Sequence, residues 1–108
     1  RSTSCSEVTA IQVTISTDTA APFFYYAEDA EDISEFLSLL FASRICFSHM
    51  GRQIEYNTTL CRVAFVSPDR TLLSLEITDT GELHCGNLVF RILDPHLASA
   101  LTSLATAW

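Results

Sequence analysis

Asp79-Thr80-Gly81, inside the stretch LEITDTGELHC, is the first feature of this 108-residue sequence that could do chemistry. A carboxylate held beside a Thr and a Gly is half of the arrangement in which two facing carboxyls share a proton and activate water. The remaining reactive groups are His49, His84 and His96 and the cysteines Cys5, Cys46, Cys61 and Cys85. A thiol needs a nearby base to become a nucleophilic thiolate, so Cys85 with His49 or His96 is the pair to weigh. His84 adjoins Cys85, but on a strand neighbouring side chains point to opposite faces.

Each reading makes a structural demand. The tripeptide resembles that of the small dimeric aspartic proteases, in which the Asp lies early and a flap and further core strands follow it. Here 27 residues follow Gly81, enough for a strand and a helix. Thr78, Thr80, Gly81 and Glu82 around Asp79 suit a hairpin corner in which Gly supplies positive φ. No motif marks a base or an oxyanion site near Cys85. The histidines have no metal-ligand spacing and read as surface or edge residues, and no C-x-x-C pair exists. The carboxylates Glu28, Asp29, Glu31, Asp32 and Glu35 lack the alternating ligands and central Gly of a calcium loop, and suit a helix start. No catalytic, cofactor-binding or metal residue is assigned.

Composition narrows the partners. A formal charge of -7 repels phosphate backbones, which removes the electrostatic term that drives nucleic-acid binding. No apolar run approaches the roughly 20 residues of a membrane span. The chain holds no Lys, through either coding bias or selection against ubiquitin attachment or tryptic cleavage. A mean hydropathy of +0.26 is high for a small acidic chain, which suggests apolar surface that meets another protein.

Four cysteines in a chain near 100 residues suggest two disulfides, against four buried thiols as the alternative. A chain that begins at Arg1, as a processed product would, and the glycosylation acceptor Asn57-Thr58-Thr59 lean toward secretion. A cytoplasmic setting with reduced cysteines is the alternative.

The elements that must position these groups follow from periodicity. EVTAIQVTIS alternates Ile11, Val13 and Ile15 against polar neighbours and reads as a half-buried strand. FFYYAEDAED leads into a helix capped by Asp29, with an apolar stripe of Ile33, Phe36, Leu37, Leu40 and Phe41. ICFSH and QIEYNT read as short strands. CRVAFVS and TLLSLEIT form a pair across Pro68-Asp69-Arg70. ELHCGNLVFRIL switches apolar parity between Cys85 and Leu88, which a β-bulge at Gly86-Asn87 explains; a two-residue hairpin turn competes. A last helix starts from Asp94 as N-cap with Pro95 first, its stripe being Leu97, Leu101, Leu104 and Trp108. The expected fold is a single α+β domain over residues 1–108, in the order β-α-β-β-β-β-α. Its mostly antiparallel sheet has four to five strands, with two amphipathic helices on one face.

Function is then expected in contact with another protein chain. Four consecutive aromatics, Phe23, Phe24, Tyr25 and Tyr26, cannot all face one core, so with Glu28, Asp29, Glu31 and Asp32 they form the candidate partner surface. The first expectation is a small secreted, non-catalytic toxin, effector or inhibitor held by two disulfides. The alternative is an intracellular acidic adaptor or assembly subunit, working as a homo- or heterodimer with reduced cysteines.

Overall fold

The computed structural model describes residues 8–16, 21–50 and 59–108. Its elements run β1 (Ala10–Ile15), β2 (Phe23–Ala27), α1 (Ala30–Ala42), β3 (Ile45–Met50), β4 (Thr59–Val66), β5 (Thr71–Thr78), β6 (Glu82–Cys85), β7 (Leu88–Ile92) and α2 (Leu97–Thr106). The strands form one antiparallel sheet in the order β2-β1-β4-β5-β6-β7-β3.

Seven strands replace the expected four to five, and two misread segments account for the difference. FFYYA is not the lead-in to α1. It is β2, paired with β1 so that Val13 faces Tyr25 and Thr14 faces Phe24. Aromatic residues suit a strand, where alternation divides them between two faces. At Gly86-Asn87 the chain makes the hairpin turn rather than the bulge: Cys85 pairs with Leu88 and Gly86 has φ of 60°. Residues facing each other across a two-residue turn share a face, so the opposite sequence parity of Leu83 and Phe90 becomes one apolar surface. The QIEYNT strand lies outside the described residues.

Register places three apolar rows on one face of the sheet. Ile11, Phe65 and Leu73 line up from strand to strand, as do Val13, Val63 and Leu75, and then Cys61, Ile77, Leu83 and Phe90. Against this face pack Ile33, Phe36 and Leu40 of α1 and Leu97, Leu101 and Ala105 of α2. Phe36 is fully buried, with its ring 5.5 Å from Trp108 and 6.4 Å from Phe65. Asp29 stands at the N-cap of α1 with extended backbone and no side-chain capping bond. At the other end Ser43 closes the helix, its N–H donating to Leu40 C=O and its Oγ to Leu39 C=O.

Two helix expectations need correction. Phe41 is not part of the buried stripe but 65% exposed. The second helix starts at Leu97 rather than Pro95, because Asp94 instead closes a turn, accepting His96 N–H on Oδ1 at 3.0 Å and Leu97 N–H on its carbonyl.

Candidate functional site

The Asp79 tripeptide is a hairpin corner between β5 and β6. Gly81 N–H donates to Thr78 C=O at 3.3 Å, Gly81 has φ of 80°, and Asp79 is exposed. Glu82 N–H donates to the buried Thr78 Oγ1, which ties the corner to the strand it starts.

Cys85 lies on the helix-facing side of β6 and the side chain of His84 on the other, so the adjacent pair cannot share a proton. Burial raises the Cys85 thiol above its usual range, which works against a thiolate. His84 is not the surface residue its sequence context suggested. It is 4% exposed, with Nε2 3.1 Å from Glu82 Oε1 and Nδ1 buried without a hydrogen-bond partner. Its cross-strand neighbours on this outer face are the fully buried Val89 of β7 and Glu76 of β5, whose Oε2 lies 3.4 Å from Arg62 Nε of β4. His96 is exposed and His49 half-buried, hydrogen-bonded to Ser48. Among the described residues no three His, Cys, Asp or Glu side chains converge on a metal-sized site.

Cys46, Cys61 and Cys85 are free thiols; Cys5 and Asn57 lie outside the described residues. Cys61 is on β4, Cys85 on β6 and Cys46 on β3, so at least one strand separates every pair. At about 4.8 Å per strand such pairs stand about 10 Å apart, beyond the roughly 7 Å Cα limit of a disulfide. Two disulfides among four cysteines need one bond within this trio, and this register does not bring any two of the three together.

The feature that asks for a function is apolar. α2 lies over β2, β1 and β4, while the helix-facing side of the sheet continues through β5, β6, β7 and β3. Between α1 and that continuation runs a groove of about 330 Å³, walled by Leu37 and Phe41 on one side and Phe65, Leu73, Leu83 and Phe90 on the other. Around it Phe41, Phe47, Met50, Leu73 and Leu88 are exposed. Phe47 and Met50 belong to the edge strand, where they face Phe90 and Leu88 of β7.

The candidate partner surface read from sequence sits at the opposite edge. Phe23, Phe24 and Tyr26 are exposed on β2, Tyr25 is half-buried against the core, and Glu28, Asp29 and Glu31 are exposed beside a half-buried Asp32. Sequence reasoning missed the larger surface because Phe41, Leu73 and Leu88 have the periodicity of core residues. The signal that could have found it was the high mean hydropathy of +0.26, which already pointed to apolar surface left outside the core.

Comparison with protein-family models, with curated proteins and with solved structures finds no match for this chain. The class defined by its own geometry is a single α+β domain in which the described residues form a seven-stranded antiparallel sheet and two helices that leave one sheet face partly uncovered. No helix among the described residues is long and apolar enough to cross a membrane.

Proposed function

We propose that this chain is a non-catalytic protein-binding domain that works by burying the uncovered half of its sheet, around the groove beside α1, against another polypeptide. The observation that carries the reading is the exposure of Phe41, Phe47, Met50, Leu73 and Leu88 on the face whose neighbouring part is the hydrophobic core. Contiguous apolar surface of this extent is what interaction sites present. The groove is suited to apolar side chains of a protein rather than to a polar metabolite, since among the described residues Ser43 is the one polar residue lining it, and its hydroxyl is already bonded to Leu39.

Of the two settings, an adaptor or assembly subunit with reduced cysteines is favoured over a secreted, disulfide-held toxin or effector. What supports it is the spacing of Cys46, Cys61 and Cys85 on non-adjacent strands. Thiol counting on denatured, unreduced protein separates them: the favoured setting gives all four thiols, the other none.

The binding reading itself is tested with Phe41→Glu and Leu73→Glu. Both should keep the native circular dichroism and lose whatever the apolar face does, whether self-association or binding of an anilinonaphthalene dye. A wild-type chain that is monomeric and takes up no dye would overturn the reading.

A further inference from the structure

We propose that a second copy of this chain covers the open part of the sheet, stacked face to face upon it, with Met50 of each copy seated against Phe41 of the other. The inference rests on the protein-binding reading and names the partner.

The open part is a corner. α1 follows Ala27, which lies in the row of Ile11, Phe65 and Leu73 at one end of the strands. It leads to Ile45, whose pairing with Ile92 lies beyond the row of Ile77, Leu83 and Phe90, toward the other end. Because β2 and β3 are opposite edges, the helix crosses the sheet diagonally. On one side of that diagonal α2 lies over β2, β1 and β4. On the other side Leu73, Leu88 and Met50 are exposed on the floor, Phe47 on the outer strand and Phe41 on the helix that walls the corner.

Area and charge fit a second copy. Phe41, Phe47, Met50, Leu73 and Leu88, taken at their exposed fractions, offer on the order of 500 Å² per copy. Leu37, Ile45 and Phe90, half-buried along the groove between them, add on the order of 100 Å². Face-to-face stacking covers this surface on both copies, on the order of 1,200 Å² in all, which is where specific interfaces begin. The helix-facing residues of β5, β6, β7 and β3 are uncharged, since Glu76, Glu82 and Arg91 alternate to the outer face. The net charge of -7 is therefore kept out of the contact, and no unpaired charge is buried there.

The corner is also complementary to itself. A twofold contact needs a projection and its socket on one surface, because each copy must both give and receive. Met50, 68% exposed at the tip of the corner, is the projection, and the groove of about 330 Å³ beside Phe41 is the socket. An unbranched thioether fills an irregular gap of this kind readily. An axis that lies between the sheets and runs parallel to α1 turns one corner over onto the other, which brings each Met50 to the foot of the partner's α1. Stacked sheets stand about 10 Å apart and a helix is about 10 Å thick, so each sheet ends beside the other copy's α1 without collision.

Light scattering of the full chain at micromolar concentration should give twice the 12.0 kDa monomer mass. Phe41→Arg and Met50→Glu, both at exposed positions, should each halve it with unchanged circular dichroism, and Phe24→Glu, on the outer face of the far edge, should not. An equimolar mixture of Phe41→Arg and Met50→Glu should return to the dimer mass. In that mixed pair one contact is unaltered and the other joins Arg to a carboxylate. Leu88→Glu repeats the dissociation should either variant lose its circular dichroism. A dimer that survives these substitutions, or two monomeric variants that do not recombine, overturns the face-to-face contact. A wild-type monomer that still binds the apolar dye overturns the second copy and leaves the protein-binding reading standing. A monomer that binds no dye overturns both.

Discussion

Phe47 on the edge strand meets Phe90 of β7 edge to face, with ring centroids 5.8 Å apart at 78°, while half of the Phe47 ring remains open to solvent. Phe36 makes the same kind of contact with Phe65 at 6.4 Å, but no part of it is exposed. The two phenylalanines mark the covered and uncovered parts of one apolar face.

Truncating them should therefore cost different amounts. Phe36→Ala removes a ring that α1, Phe65 and Trp108 enclose, and should lower unfolding free energy by about 3–5 kcal/mol. Phe47→Ala loses one aromatic pair and part of its burial, so about 1 kcal/mol is expected. Urea unfolding at fixed protein concentration checks both; equal losses would mean that Phe47 is as enclosed as Phe36.

Cys61 gives a dependence on pH. Burial pushes its thiol up to about 11 from its ordinary 9.0. The folded chain holds this proton more tightly than the unfolded chain does, so the linked stability is present in full below pH 9. It is lost as pH rises from about 9 to about 11, and amounts to about 3 kcal/mol. Urea midpoints at pH 8 and pH 10.5 should fall accordingly, and Cys61→Ala should flatten that difference whatever it does to the midpoint itself. A wild-type midpoint that does not change over this interval would contradict the buried thiol.

The hairpin corners should be sensitive to backbone conformation rather than to space. A Cβ on Gly81 would meet nothing closer than Ile92 O at 4.0 Å, and one on Gly86 nothing within 4 Å. Gly81→Ala and Gly86→Ala should each still cost about 1–2 kcal/mol, because both glycines have positive φ. Gly86→Asn should cost less than Gly86→Ala, since Asn tolerates that region. Thermal melts of the three variants rank them.

Much of the fold was legible in local pattern. Ile11, Val13 and Ile15 alternate as a half-buried strand must, Ile33, Phe36 and Leu40 follow helical spacing, and Asp79 to Gly81 carry the composition of a turn. What local pattern does not carry is pairing. FFYY has no alternation of polarity, so only its partner β1 sorts Phe24 from Tyr25. Parity across Gly86-Asn87 reads as a slip until the strand is folded back on itself. His84 looks like an ordinary polar strand residue, and its burial arises from tertiary packing. The candidate site was hidden for a related reason: periodicity says which residues share a face, not how far the helices extend over it. Leu73 and Leu75 are two residues apart on one face, yet Leu73 is 39% exposed and Leu75 5%.

The central claim is that the helices leave the β5–β6–β7–β3 half of the apolar face for another chain. Hydroxyl-radical footprinting of the dilute wild-type chain, read by mass spectrometry at Phe41, Phe47 and Met50 against Phe24 and Phe36, tests it most directly. The account predicts labelling of all three at rates close to that of Phe24 and far above that of Phe36. Protection of all three to the level of Phe36 in the dilute chain would mean that the molecule covers this face itself, and would contradict the account.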